Sequence, residues 1–172
     1  KYMQKSTLIK QWQDKKLISN NALIQAFKKI KREDFVLKQY RKHAYEDIPL
    51  PLGFGATISQ PTTVMIMTQA LAAEQGNKIL EVGTGSGYQA AILSILVGTK
   101  GKIYTTELVP ELVEFAKKNL KNYENVEVIK TDGSQGYKIK APYDRILFTV
   151  AVPRIENEIL KQLKDPGIYL AP

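Results

Sequence analysis

The sequence predicts an α/β protein: a doubly wound, mostly parallel sheet preceded by N-terminal helices. Three observations carry this. From Asn77 onward, short apolar runs alternate with helical patterns, as repeated β-α-β units do. The strand candidates are almost continuously apolar, as strands covered on both faces must be. A glycine cluster at 83–87 sits where the first of these strands passes into a helix, the position of a ligand turn in open α/β sheets. At 172 residues, 1–172 reads as a single domain, with 1–60 a helical N-terminal part ending in a loop and 61–172 the α/β core.

Each element has a local reason. Leu8, Ile9 and Trp12 share a helical face. Asn20 is a natural N-cap for a second helix whose stripe is Leu23, Ala26, Phe27 and Ile30. Residues 31–36 suggest one short turn of helix. Residues 48–60, IPLPLGFGATISQ, carry two prolines and two glycines and are expected to form a structured loop. Pro61 suits the first turn of a helix with the face Val64, Met67 and Leu71, ending before Gly76. In the core, 78–82 is a strand and 88–97 a helix. A turn at 98–101 leads to strand 102–108, and Pro110 opens a helix over 111–120. Strand 126–131 is followed by the loop DGSQGY, then strand 143–150, helix 155–163 and a strand at 167–170.

Composition excludes several chemistries. There is no cysteine, hence no disulfide, thiolate metal site or cysteine nucleophile. The single histidine, His43, rules out a multi-histidine metal site, so no metal is expected. The N-terminus lacks the apolar core of a signal peptide, and the longest apolar run, 90–98, falls well short of the roughly 20 residues of a membrane span. A cytoplasmic setting and no membrane partner are therefore expected. The net charge of +8 is uneven: residues 1–48 hold 12 Lys/Arg against five Asp/Glu. That excess suits a solvated lysine-rich face, with attraction to nucleic acid as the rival reading. The chain starts at Lys1 and stops in a strand, so its last strands are expected to lie beyond Pro172.

The stretch Ile79-Leu80-Glu81-Val82-Gly83-Thr84-Gly85-Ser86-Gly87-Tyr88 reads strand, acid, G-x-G-x-G, helix. A dinucleotide fingerprint requires G-x-G-x-x-G/A, and Tyr88 occupies its third glycine. A Walker loop requires Gly-Lys-Ser/Thr, which is missing. An acid two residues before G-x-G-x-G suits S-adenosylmethionine, which offers no pyrophosphate but has an ammonium to pair. Glu107, ending the next strand, is placed to accept from both ribose hydroxyls. Asp132-Gly133, after the third, is placed to meet the adenine amino group. Together these describe a Rossmann-like class I methyltransferase core with strand order 3-2-1-4-5.

Over nearly its whole length the chain also resembles the protein-L-isoaspartate O-methyltransferases. The resemblance rests on Arg32-Glu33-Asp34-Phe35-Val36, on 44–53 (AYEDIPLPLG), on Ala56-Thr57-Ile58-Ser59-Gln60-Pro61, on 81–88, Asp132-Gly133, 141–146 (APYDRI) and 158–163 (EILKQL). The loop TISQP, preceded by PLPLG, is its most specific part. Two stretches depart from the family pattern: Ser134-Gln135-Gly136, and Thr149-Val150-Ala151-Val152-Pro153 in place of an alanine-rich segment.

The resemblance implies a monomeric repair enzyme. It would methylate the free α-carboxylate of isoaspartyl residues in damaged proteins and peptides, releasing S-adenosyl-L-homocysteine. The ester then closes to a succinimide whose hydrolysis returns some normal aspartate. The family's functional serine matches Ser59. Ala56, Thr57, Ser59, Val150 and Ala151 would contact the acceptor, and Ile58, Glu81, Gly83, Thr84, Gly85, Gly87, Glu107, Leu108, Asp132 and Gly133 the cofactor. A carboxylate is already a nucleophile, so a hydroxyl that aligns it suffices. Ser59 as a plain N-cap for the following helix is compatible with this. A serine hydrolase lacks its G-x-S-x-G elbow. A tRNA adenine-N1 methyltransferase, the alternative kept alive by the basic N-terminal part, lacks Asn/Asp-Pro-Pro-aromatic after the fourth strand. A degenerate binding module is disfavoured by the intact glycines and carboxylates.

Overall fold

The computed structural model describes residues 2–151 and 157–172. The N-terminal helices, α1 (Lys5–Asp14) and α2 (Asn21–Lys29), form where the apolar spacing places them. Leu8, Ile9 and Trp12 of α1 are buried against Leu23, Ala26 and Phe27 of α2, at roughly 1.5–3 kcal/mol per large apolar side chain. Asn20 caps α2, its side-chain oxygen accepting from the Leu23 N–H at 3.0 Å. Lys5 Nζ donates to the carbonyls of Lys28 and Ile30 at 2.9 and 2.6 Å, a cation at the helix C-terminus where the dipole favours it. The expected turn at 31–36 is a 3-10 helix over Arg32–Phe35, and another follows at Lys38–His43.

Residues 48–60 are more regular than expected. Leu50–Gly53 (β1) and Ala56–Ile58 (β2) pair as an antiparallel hairpin. Leu50 and Leu52 point inward and Pro51 and Gly53 outward, a period-2 pattern that the prolines and glycines obscure. Proline is tolerated because both strands of an isolated ribbon are edges. At the tip, Gly53, Phe54 and Gly55 all have positive φ, the backbone a tight hairpin turn requires.

Helix α3 (Pro61–Leu71) begins on proline and is capped from a distance. Asp47 accepts the Thr62 N–H at 2.8 Å and the Thr62 hydroxyl at 2.6 Å, and Trp12 Nε1 donates to that same hydroxyl at 2.7 Å. Ser59 therefore does not cap this helix.

The core follows as β3 (Lys78–Val82), α4 (Tyr88–Val97), β4 (Lys102–Glu107), α5 (Pro110–Asn119), β5 (Val126–Lys130), β6 (Tyr143–Phe148), α6 (Asn157–Leu160) and β7 (Leu163–Leu170). The strands lie in the order β5-β4-β3-β6-β7, all parallel, which is the expected 3-2-1-4-5 arrangement. The last elements differ from expectation. The expected helix start at Ile155 lies outside the described residues, and α6 ends at Leu160 because the chain enters β7 at Leu163 rather than Gly167. Leu163 pairs with Tyr143 and Ile168 with Arg145, so an irregularity absorbs Pro166 and Gly167.

Alternation along the strands divides the interior. Leu80, Val82, Ile146 and Phe148 face α6 through Ile159, while Ile79, Ile103 and Leu147 join the core shared by α1 to α5. Helix α4 is buried at every position but Ile95, sandwiched between the sheet and α2, which is why AAILSILV reads apolar all round. No helix among the described residues is long and apolar enough to cross a membrane.

Candidate active site

The chain leaves β3 toward β4 and β5, then returns to β6 on the other side of β3. Ligands of open parallel sheets bind at the carboxyl ends of such a strand pair. A cleft of about 360 Å³ opens there, within the usual size of a small-molecule site. Four segments wall it: the hairpin tip and β2–α3 link at 54–59; α3 through Thr63, Val64 and Met67; the turn after β3 with Tyr88 and Gln89; and the ends of β4 and β6 through Glu107, Val109 and 149–151.

Most residues singled out from the sequence meet in this cleft. Ala56, Thr57, Ile58, Ser59, Glu81, Gly83, Thr84, Gly85, Glu107, Val150 and Ala151 all line it. Four residues stand outside its lining. Gly87 and Gly133 lie under neighbours, so that a Cβ would come 2.6 Å from Leu120 Cδ1 at the first and 2.2 Å from Thr106 Oγ1 at the second. Leu108 is exposed. Asp132 is also exposed, and its Oδ1 accepts the Ser134 N–H at 2.9 Å in an Asx turn, which holds the carboxyl below its ordinary range. Phe54, Thr63, Met67, Gln89, Leu112 and Thr149 line the cleft without having been singled out as site residues. Of these, Thr149 directly precedes the Val150-Ala151 pair named from the sequence, and Thr63 and Met67 lie one helical turn apart on α3.

Glu81 is the most unusual group in the cleft. Its place on β3 turns it to the α4 side, between Thr105 and Leu147 on the neighbouring strands. It is fully buried, and neither carboxylate oxygen has a hydrogen-bond partner. Burial pushes its carboxyl up to about 8; nearby Thr105 opposes the rise, and the charge of Glu107 adds to it. The Thr105 hydroxyl is itself engaged with Thr84 Oγ1 at 2.6 Å. A buried carboxyl left without donors is a site for a cation or a donor brought by a ligand.

Glu107 is the opposite case. Its Oε2 accepts the Gly85 N–H at 2.9 Å, and its Oε1 accepts those of Leu108 and Val109 at 2.9 and 3.1 Å. It thus ties the turn after β3 to the turn after β4. Gly83 has φ +99° and no room for a side chain, since a Cβ would sit 2.5 Å from Thr149 Oγ1. The Thr149 hydroxyl donates to the carbonyls of both Val82 and Gly83, fastening the β6 end to the same turn. The result is a backbone cradle with an unpartnered acid beneath it. Ser59 borders the cleft at the end of β2, and its hydroxyl makes no hydrogen bond among the described residues. His43 is not among the lining residues; it pairs with Glu46 at 2.8 Å, so a serine–histidine couple is not formed.

A family model described as protein-L-isoaspartate(D-aspartate) O-methyltransferase matches residues 3–172. A protein-L-isoaspartate O-methyltransferase of Staphylothermus marinus is 49% identical over 164 residues, covering 91% of this chain and 73% of the relative. A solved protein-L-isoaspartate O-methyltransferase superposes with a TM-score of 0.85 at 30% identity; the match covers 98% of this chain and 55% of that one. A Plasmodium falciparum protein solved in complex with S-adenosyl-L-homocysteine shares the fold, with a TM-score of 0.85 at 19% identity over 96% of this chain and 82% of its own.

Proposed function

The chain belongs to the protein-L-isoaspartate(D-aspartate) O-methyltransferase family, and from that premise we propose that it methylates the free α-carboxylate of L-isoaspartyl residues in damaged proteins. The observation that carries this reading is that Thr57, Ile58 and Ser59 line the same cleft as the glycine turn and Glu81. The residues suit S-adenosylmethionine: Glu81 offers two unpartnered buried oxygens, and the turn at 83–85 lines the cleft beside it, with no side chain nearer than 3.6 Å to where a Cβ on Gly85 would sit. Glu81, 83–85 and Glu107 would hold the methionyl and ribose parts, with Ile58 beside them. Leu108, Asp132 and Gly133 would act from outside the cleft wall.

When bound, the cofactor supplies an electrophilic methyl group, which the acceptor oxygen takes as the carbon–sulfur bond breaks. The chain's own part is alignment. The Ser59 hydroxyl, which makes no hydrogen bond among the described residues, donates to the acceptor carboxylate and orients it. Backbone groups at 56–57 and 150–151 hold the acceptor's main chain in the manner of a short added strand. No residue needs to take a proton from an ionised carboxylate, in keeping with a cleft whose lining contains no histidine. Damaged proteins are the partners on this reading, and the enzyme acts as a monomer without a nucleic-acid partner.

Methyl transfer to a short neutral isoaspartyl peptide is expected to change little between low and moderate salt. Transfer RNA methylation falling steeply with salt, with the peptide unmodified, would reverse the assignment.

Glu81 gives a second expectation. Its folded-state value lies above the ordinary carboxyl value, so in the ligand-free protein its contribution to stability is fully present below about pH 4 and is lost as pH rises to about 8. An ammonium bound beside it favours the ionised form. Binding of S-adenosylhomocysteine at pH 7 should then release up to one proton, read by calorimetry in buffers of different ionisation enthalpy. Glu81→Gln should remove that release. A buffer-independent enthalpy in the parent protein contradicts the placement.

A further inference from the structure

Among the described residues, the interior holds one cation that packing alone does not require. Arg32 is fully buried, and no carboxylate pairs with it among the described residues. Its Nε donates to the Ala44 carbonyl at 2.7 Å and its Nη2 to the Ser59 carbonyl at 2.8 Å, while Nη1 has no partner. The guanidinium carbon lies 4.9 Å from the centroid of the Tyr88 ring, whose hydroxyl is also buried without a partner. An unpaired buried charge is costly, and an apolar side chain of similar volume would fill the space more cheaply. What Arg32 touches is the joint of the site: Ser59 follows β2 and Tyr88 opens α4 after the glycine turn, and both line the cleft.

We propose that Arg32 is the positioning residue for the acceptor, fixing Ser59 through its carbonyl and placing a positive charge with no salt-bridge partner among the described residues behind it, toward the bound carboxylate. The proposal rests on the carboxyl-transfer reading above. Anchoring the Ser59 carbonyl removes one of the residue's two soft backbone torsions and so sets the direction of its Cα–Cβ bond. The two carbonyls are met by different nitrogens of one planar fork, Nε and Nη2, a geometry that the single nitrogen of a lysine at this position does not reproduce. Set in a low-dielectric interior, the charge acts on the cleft with little screening. It favours an anionic acceptor over its neutral amide counterpart.

The test is a kinetic cycle on an isoaspartyl peptide with cofactor saturating, comparing the parent, Arg32→Lys, Ser59→Ala and the double variant. Calorimetry with S-adenosylhomocysteine is run on each protein. Arg32→Lys should lower kcat/KM about tenfold while cofactor affinity stays within about twofold. In the Ser59→Ala background the same change should cost less than about threefold, because its effect runs through the hydroxyl that is already gone. Arg32→Met, which keeps volume without charge, should lose about a hundredfold with cofactor affinity again held. Equal losses in both backgrounds would overturn the proposal. So would cofactor affinity falling in step with activity in both Arg32 variants, which marks a fold element only. A parent protein that leaves the peptide unmethylated removes the acceptor reading itself, and this proposal with it.

Discussion

Glu107→Ala is expected to weaken S-adenosylmethionine binding by about 1.5–3 kcal/mol, roughly ten- to more than a hundredfold in Kd. The carboxylate has about four acceptor positions, and the N–H groups of Gly85, Leu108 and Val109 occupy three of them. Reading it as a receiver for both ribose hydroxyls therefore understates its work: it shapes two turns of the cleft first and offers a ribose what remains. Alanine leaves three backbone donors without acceptors and unties the turn after β3 from the turn after β4. Glu107→Gln keeps one oxygen acceptor and the side-chain volume, so it should fall between parent and alanine. Loss of the Glu107 charge also removes one influence that raises the Glu81 carboxyl, so proton release on binding should shrink in both variants. Titration calorimetry with S-adenosylhomocysteine checks each point. Unchanged affinity in the alanine variant would remove Glu107 from the cofactor site.

Ser59→Ala should lower turnover on an isoaspartyl peptide by about one to two orders of magnitude, the scale of a lost aligning contact. Cofactor affinity should barely move. The fold supplies a control. Were Ser59 the cap of α3, alanine would cost about 1 kcal/mol and lower Tm by about 2–4 °C. Asp47 holds that helix end through Thr62, so Tm should stay flat while kcat falls. A fall in Tm with kcat intact would return Ser59 to a structural role.

What the sequence made legible, and what it hid, follows from how local each signal is. The Asn20 cap, the stripe on α2 and the strand-acid-glycine-helix run at 79–88 are contiguous patterns, and the structure realises all three. The β5-β4-β3-β6-β7 order follows from crossover rules acting on those elements. The β1–β2 hairpin was hidden because Pro51, Gly53 and Gly55 signal a loop locally, while its inward leucines lie only two apart. The Asp47 cap spans 15 residues and has no local signature. Arg32 sits in the charged run KREDF, which carries no local signal of burial. Only the tertiary packing of Ala44, Ser59 and Tyr88 around it reveals a buried cation. Asp132 follows β5, as its place in the sequence implies, and its side chain turns back to its own loop.

The most direct measurement is labelled methyl transfer from S-adenosylmethionine to two synthetic peptides that differ only in carrying an L-isoaspartyl or a normal aspartyl residue at one position. The cleft and its family membership predict label in the isoaspartyl peptide alone, as a base-labile ester. Equal labelling of both peptides, or of neither while transfer RNA is labelled, would contradict it.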